Sequence, residues 1–162
     1  MPNTLPDGMR ERIRASIDMQ YYKQQLLICG IVALVQALLL GVSLGVIDLG
    51  AGILGLTVIA LMYAPIVIYY AICMHGLMRG CEGYALYEAV LDAPQSGFWR
   101  GRIYFTATFK TEVGHTLSRE TRAVFSTSIM TSRYFGDFTR CRALIAYHEE
   151  RDELVIISKL EK

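Results

Sequence analysis

Apolar and polar positions divide the chain into two parts with different patterns. Residues 26–47 form a run of 22 positions without a charge, and residues 49–74 form a second run of 26, separated only by Asp48. The hydrocarbon core of a bilayer is about 30 Å thick and needs about 20 helical residues. Both runs therefore predict transmembrane helices, since a backbone in lipid must satisfy its own hydrogen bonds. An apolar core in a soluble protein is the disfavoured alternative, because uncharged runs beyond about 18 residues are typical of membrane spans.

The charges that flank these runs predict their orientation. Basic residues precede the first run at Arg10, Arg12, Arg14 and Lys23, and Arg79 follows the second. None lies in the turn around Asp48. Because Lys- and Arg-rich flanks stay in the cytoplasm, we expect a multi-pass protein of the bacterial inner (cytoplasmic) membrane, with Asp48 outside and both termini cytoplasmic.

Small residues at the adjoining ends of the two runs predict close helix packing. They are spaced four apart at Gly41, Gly45, Ala51 and Gly55. Such spacing lets helix backbones approach closely in lipid. The contact could lie inside the hairpin or between subunits, and both alternatives stay open here. Because two helices alone rarely form a stable unit in lipid, we expect a homo-oligomer.

The segment before the first run has helical periodicity. Met9, Ile13, Ile17 and Tyr21 form one apolar stripe at a spacing of four. This stripe fits an amphipathic segment on the inner leaflet or a helical extension of the first span. The predicted organisation is therefore an amphipathic cytoplasmic leader (1–25), a transmembrane helical hairpin (26–78) and a cytoplasmic β-domain (79–162).

The pattern changes from helical to alternating after Gly83. Residues 99–110 place apolar or small side chains at odd positions and mostly polar ones at even positions, which is typical of a half-buried strand. Similar segments predict strands at 84–91, 116–126, 140–148 and 153–160, with a short helix within 127–135. Five short strands suit a small antiparallel β-barrel or rolled sheet, because closure removes exposed strand edges. The predicted fold class is therefore an α+β membrane protein.

The turn at residues 112–114 predicts the register of one hairpin. A three-residue loop that ends in a left-handed glycine pairs Thr111 with His115. The same register sets Ile103 opposite Ala123. A two-residue loop would slip the pairing by one and bring polar side chains to the buried face.

Two membrane helices before a five-stranded cytoplasmic barrel resemble bacterial NfeD-type proteins and related families of unknown function. The resemblance rests on the opening strand Tyr-Ala-Leu-Tyr-Glu-Ala-Val-Leu at 84–91 and on two apolar segments at 143–147 and 154–157. It is architectural and covers the chain from about residue 26 onward. It implies membrane anchoring and protein contacts rather than chemistry.

Candidate catalytic and metal-binding residues are few. His75, His115 and His148 have no spacing typical of zinc ligands. Cys141 and His148 are seven residues apart on one predicted strand, so they point to opposite faces about 23 Å apart and do not form a nucleophile–base pair. We therefore expect no enzyme activity, no metal and no cofactor.

Arginine is concentrated on one predicted face of the β-domain. Residues 100–142 contain eight basic and three acidic residues, a net charge of +5. The outward positions hold Arg100, Arg102, Tyr104, Arg122, Arg140 and Arg142, which we call the arginine face. Arginine suits bidentate contact with phosphate. The face could meet the anionic inner leaflet, an anionic ligand such as a cyclic nucleotide, or an acidic protein partner; DNA binding is not expected.

The pattern therefore predicts a non-catalytic, membrane-anchored β-domain protein that acts through protein binding and self-assembly. One alternative is a membrane effector, resembling bacterial antiphage defence proteins, whose β-domain senses an anionic ligand. The other is an immunity protein against a membrane-active toxin.

Overall fold

The computed structural model describes residues 6–46, 48–96, 101–125 and 140–160, which divide between two compact units. The helical unit is Tyr22–Gly76. The β-unit joins Met1–Tyr21 to Leu77–Lys162, so it draws on sequence from both sides of the helical unit. This division groups the leader with the β-strands.

Three helices form the N-terminal half of the chain. They are α1 (Pro6–Ala15), α2 (Ile17–Gly45) and α3 (Leu49–Met78), with a bend at Ser16. Two of these helices are long and apolar enough to cross a membrane, over Ile17–Leu44 and Leu49–Met78. At about 1.5 Å per residue, each exceeds the thickness of a hydrocarbon core. The two predicted apolar helices are confirmed.

Asp48, the charge between the two apolar runs, caps helix α3. Its Oδ1 accepts a hydrogen bond from the backbone N–H of Gly50 at 3.3 Å, and its Oδ2 accepts one from Ala51 at 3.2 Å. An N-cap carboxylate satisfies N–H groups that lack a partner within the helix. The one charged residue between the two apolar runs therefore has a structural role, as the hydrogen-bond acceptor at the start of α3.

Two of the small residues lie where α2 meets α3. A Cβ atom built on Gly41 would stand 3.7 Å from Leu56 Cδ2, and one on Gly55 would stand 3.0 Å from Leu44 Cδ1. Both contacts are within the helical unit. Gly41 and Gly55 therefore face the other helix of the same chain. This agrees with the alternative in which the small residues pack inside the hairpin.

The strands follow the helices in chain order. They are β1 (Tyr84–Leu91), β2 (Gln95–Ser96), β3 (Arg102–Tyr104), β4 (Thr106–Lys110), β5 (Thr116–Glu120), β6 (Val124–Phe125), β7 (Cys141–His148) and β8 (Glu153–Lys159). The main sheet is antiparallel in the order β5-β4-β1-β7-β8, and a smaller sheet has the order β2-β3-β6. Single 3₁₀ turns at Cys81–Gly83 and Glu149–Arg151 precede β1 and β8. The helix predicted within 127–135 lies outside the described residues.

The prediction of a closed barrel is wrong: the five-stranded sheet is open, with β5 and β8 at its edges. The predicted long strand through residue 110 is interrupted at Phe105, whose N–H donates to the Thr121 side-chain Oγ1 at 2.9 Å instead of to a backbone carbonyl. The residues just before Phe105 form β3, and those just after Thr121 form β6; both strands belong to the smaller sheet. β3 and β6 therefore do not extend β4 and β5 within the main sheet, which stays open.

The predicted three-residue turn is confirmed. Gly114 has φ +87°, and the Thr111 N–H donates to the His115 carbonyl at 2.9 Å. The register holds along β4 and β5, where Phe109 is paired with Leu117. A left-handed glycine closes the loop without the steric cost that a Cβ would bring.

The predicted register fails beyond the interruption at Phe105. Ile103 is paired with Val124, not with Ala123. Because the Thr121 hydroxyl replaces a backbone acceptor there, one additional residue lies on the β5–β6 side. Alternation alone cannot indicate such a bulge.

The core of the β-unit covers both faces of the main sheet, because consecutive residues of β7 and β8 are buried. Tyr87 and Phe109 have ring centroids 5.2 Å apart, and Phe109 and Tyr147 are separated by the same distance. Buried side chains from four strands lie on the same face as these rings: Ala89, Leu91, Ala107, Ala143, Ile145, Leu154 and Ile156. Burial of the apolar side chains on both faces is the main stabilising contribution to the unit.

The leader covers the edge of β8. Met9, Ile13 and Tyr21 are buried, and the Asp18 carboxylate accepts a hydrogen bond from the outward-facing N–H of Ile156. The apolar stripe therefore contacts protein in the β-unit, which neither leader interpretation included. Periodicity shows that a stripe is buried but not what buries it.

Candidate functional site

The arginine face is spread over several elements of the β-unit. Arg102 and Tyr104 lie on β3, Arg122 lies between β5 and β6, and Arg140 and Arg142 lie at the start of β7. Arg100 lies outside the described residues. The Tyr104 hydroxyl donates to Gln95 Oε1 at 3.0 Å.

Three of these arginines contact carboxylates of their own unit. The ion pairs are Arg122–Glu153 at 2.7 Å, Arg140–Asp92 at 3.7 Å and Arg142–Glu88. All three carboxylates lie outside residues 100–142, the stretch whose net charge suggested an anion-binding face. The structure thus supplies intramolecular anions that the local charge count omitted.

The pairs differ in how far water can screen them. The Arg142 and Glu88 side chains are 64% and 62% exposed, so the pair contributes at most about 1 kcal/mol. The Arg122 and Glu153 side chains are only 24% and 30% exposed. Among the three paired arginines, Arg122 is therefore the one most closely integrated into the fold.

Glu153 uses both carboxylate oxygens. Oε1 contacts Arg122, and Oε2 accepts a hydrogen bond from the Tyr84 hydroxyl at 2.9 Å. Burial raises the pKa of Tyr84, and the hydrogen bond to Glu153 raises it further. Tyr84 therefore remains a protonated donor to Glu153 across the physiological pH range.

Asp18 is a buried acid near this network. It lies before the uncharged run that begins at residue 26 and belongs to the β-unit. Burial raises its pKa from 3.8 to about 6, and this effect outweighs the opposing hydrogen bond from Ile156 and the positive charge of Arg122. Desolvation penalises the ionised form and dominates here.

A second network joins the end of β5 to the turn before β8. Arg119 Nε contacts Asp152 Oδ1 at 2.6 Å, and the Tyr147 hydroxyl donates to the same oxygen at 2.7 Å. These contacts lower the pKa of Asp152, the Tyr147 hydrogen bond having the larger effect. Together with Arg122–Glu153, they link the open edges of the sheet through side chains.

Sequence reasoning did not identify a cavity at one end of the main sheet. Its volume is about 380 Å³, and its lining includes Tyr87, Glu112, His115, Leu117, Tyr147 and Glu149. These residues come from β1, the β4–β5 loop, β5, β7 and the turn after β7. The sequence indicated Glu112 and His115 only through their turn, and it gave no signal that they line a cavity.

The candidate catalytic residues Cys141 and His148 lie at the two ends of one strand. Cys141 is paired with Leu91 and His148 with Tyr84, at opposite ends of β7. Within the described ranges, no group of three or more His, Cys, Asp or Glu side chains could hold a metal ion.

Comparison with protein-family models, with curated proteins and with solved structures finds no match to this chain.

Proposed function

We propose that this protein is a non-catalytic, membrane-anchored module. Its two apolar helices insert as a hairpin in the bacterial inner membrane, and its β-unit acts in the cytoplasm through protein binding and self-assembly. The proposal includes the arrangement of the NfeD-type families, in which two membrane helices precede a cytoplasmic β-domain.

The observation that carries this proposal is the hydrogen bond between Asp18 and Ile156. It joins the first turn of α2, which precedes the uncharged run, to chain that follows α3, within one unit. A folded unit cannot be divided by a bilayer, so this contact supports a hairpin whose two ends lie on the same side. The basic residues of the leader then favour the cytoplasmic side.

The apolar surface of the helices supports anchoring. Large side chains are exposed along both helices, including Leu27, Leu39, Leu49, Leu54 and Leu61. Exposed apolar surface of this extent is incompatible with water and is typical of contact with lipid or with another copy.

The ion pairs favour protein binding over sensing of an anionic ligand. Arg122, Arg140 and Arg142 already contact carboxylates, so an incoming phosphate would have to displace them. The ligand-gated effector and the immunity protein therefore remain secondary hypotheses.

Copurification of two differently tagged full-length copies from one membrane tests self-assembly. We expect the second tag to be recovered with the first after coexpression and mild solubilisation. Membranes that carry each copy alone, mixed after solubilisation, provide the control for exchange in detergent. Release of the protein by alkaline carbonate would contradict anchoring, and recovery no greater than in the mixed control would contradict self-assembly.

A further inference from the structure

The cavity of the β-unit has aromatic walls and an acidic rim. Tyr87 and Tyr147 contribute rings, Leu117 contributes an apolar side chain, and Glu112 and Glu149 contribute carboxylates. Its volume of about 380 Å³ is within the range of small ligand sites.

The two carboxylates are not neutralised. Among the described residues, neither the Glu112 carboxylate nor the Glu149 carboxylate makes an ion pair or a hydrogen bond, whereas the acids of the other networks are paired. Arg119, the cation that reaches Tyr147, is bound to Asp152. The described residues that line the cavity therefore include two carboxylates and no lysine or arginine.

Both carboxylates act on the same ring. Burial raises the pKa of Tyr87, and Glu112 and Glu149 raise it further. Two acids from separate turns of the cavity lining thus act on the Tyr87 ring, whose centroid lies 5.2 Å from that of Phe109.

This combination suits a cation on a short apolar chain. Aromatic faces attract ammonium and guanidinium groups, and the attraction strengthens as water is excluded. The methylene groups of such a side chain can pack against Leu117 while the charged end reaches the carboxylates. A phosphate or carboxylate ligand would instead be repelled.

We propose that this cavity binds a lysine or arginine side chain that a protein partner presents. The assignment rests on the proposed protein-binding function, because it names the part of the β-unit that contacts the partner. A free alkylamine has the same chemistry and is the other source to be tested.

The test uses full-length protein in detergent. The ¹³C-methyl NMR signals of Leu117 and of Val113, which also lines the cavity, report on binding. The probe is N-acetyl-Gly-Lys-Gly-amide, and its matched control replaces lysine by the neutral isostere norleucine. We expect saturable shifts with the lysine peptide and none with the norleucine peptide. Equal binding of both peptides, or no shift at millimolar lysine peptide, would overturn the proposal.

Three substitutions identify the groups responsible. Glu112→Gln and Glu149→Gln should each weaken binding about three-fold and together about ten-fold. Glu150→Gln, next in the chain but outside this cavity, should leave binding unchanged. All three glutamates are exposed, so thermal unfolding should be unaltered. Unchanged binding in the double variant would contradict the site.

A final comparison separates the two sources and the two proposals. Butylamine that binds when the lysine peptide does not would assign the cavity to a small amine and overturn the partner version. The tagged-copy experiment involves no cationic probe. If the lysine peptide binds but the two tagged copies do not copurify, only the self-assembly part of the proposed function is overturned.

Discussion

The carboxylate of Asp18 accepts a hydrogen bond from the backbone N–H of Ile156, 138 residues later in the chain, at 2.8 Å. Ile156 lies on β8, the edge strand of the main sheet, and its N–H points away from β7. An unpaired edge is a template for association with other chains. The leader therefore protects this edge and joins the sequence before the hairpin to the sequence after it.

The Asp18 contact predicts an unusual pH dependence. The pKa of Asp18 is about 6 in the folded protein and 3.8 without the fold, so the folded state holds the proton more tightly. Stability of the β-unit should fall by about 3 kcal/mol as pH rises from about 4 to above 6. Thermal unfolding of the full chain in detergent measures the slope. Asp18→Asn, which keeps an acceptor and removes the titration, should flatten it; an unchanged slope would assign the titration to another group.

Two arginines of the predicted face should differ in their structural contribution. Arg122→Gln should destabilise the β-unit by about 1–3 kcal/mol, because Glu153 stays half-buried without its cation. Arg142→Gln removes an exposed pair and should cost at most about 1 kcal/mol. Unfolding temperatures of the two variants provide the comparison. A larger loss for Arg142→Gln would be inconsistent with the burial of these pairs.

Packing inside the hairpin can be separated from packing between copies. Gly55→Leu should disrupt the contact between α2 and α3, because even a Cβ atom there stands 3.0 Å from Leu44. Gly30→Leu is the matched control, since a Cβ at Gly30 meets nothing within 4 Å in one chain. Protease resistance of the hairpin should fall for Gly55→Leu alone. If Gly30→Leu changes the size of the assembly instead, its face lies in the subunit interface.

The 3₁₀ turn before β1 depends on a glycine. A Cβ atom on Gly83 would stand 2.3 Å from His148 Nε2, and this buried imidazole packs edge-on against Tyr84. Gly83→Ala should therefore destabilise the β-unit by about 1–3 kcal/mol through overpacking. Gly76→Ala, whose Cβ meets nothing within 4 Å, is the matched control and should not lower the unfolding temperature. Equal unfolding temperatures for Gly83→Ala and the parent would show that the imidazole can move aside.

Features that depend on neighbouring residues could be predicted from the sequence. Two uncharged runs indicated the long helices, and alternation located β1 at 84–91, as the structure has it. Gly114 indicated its turn because few other residues adopt a positive φ at low cost. Each of these inferences needed only a short window of sequence.

Features that depend on distant residues could not be predicted. The diversion at Phe105 depends on a hydroxyl 16 positions away, and the partner of Arg142 is Glu88, 54 positions away. The cavity combines two turns that only the folded sheet brings together. Local charge and periodicity contain no information on such pairings.

Cysteine accessibility tests the central claim, that both ends of the hairpin lie on the cytoplasmic side of the membrane. Single cysteines replace Glu11, Leu49 and Lys159, all exposed, in a full-length chain whose four native cysteines are serine. A membrane-impermeant maleimide is applied to intact spheroplasts and to permeabilised ones. The account predicts that Leu49→Cys reacts in intact spheroplasts, whereas Glu11→Cys and Lys159→Cys react only after permeabilisation. Labelling of either Glu11→Cys or Lys159→Cys from outside would contradict it.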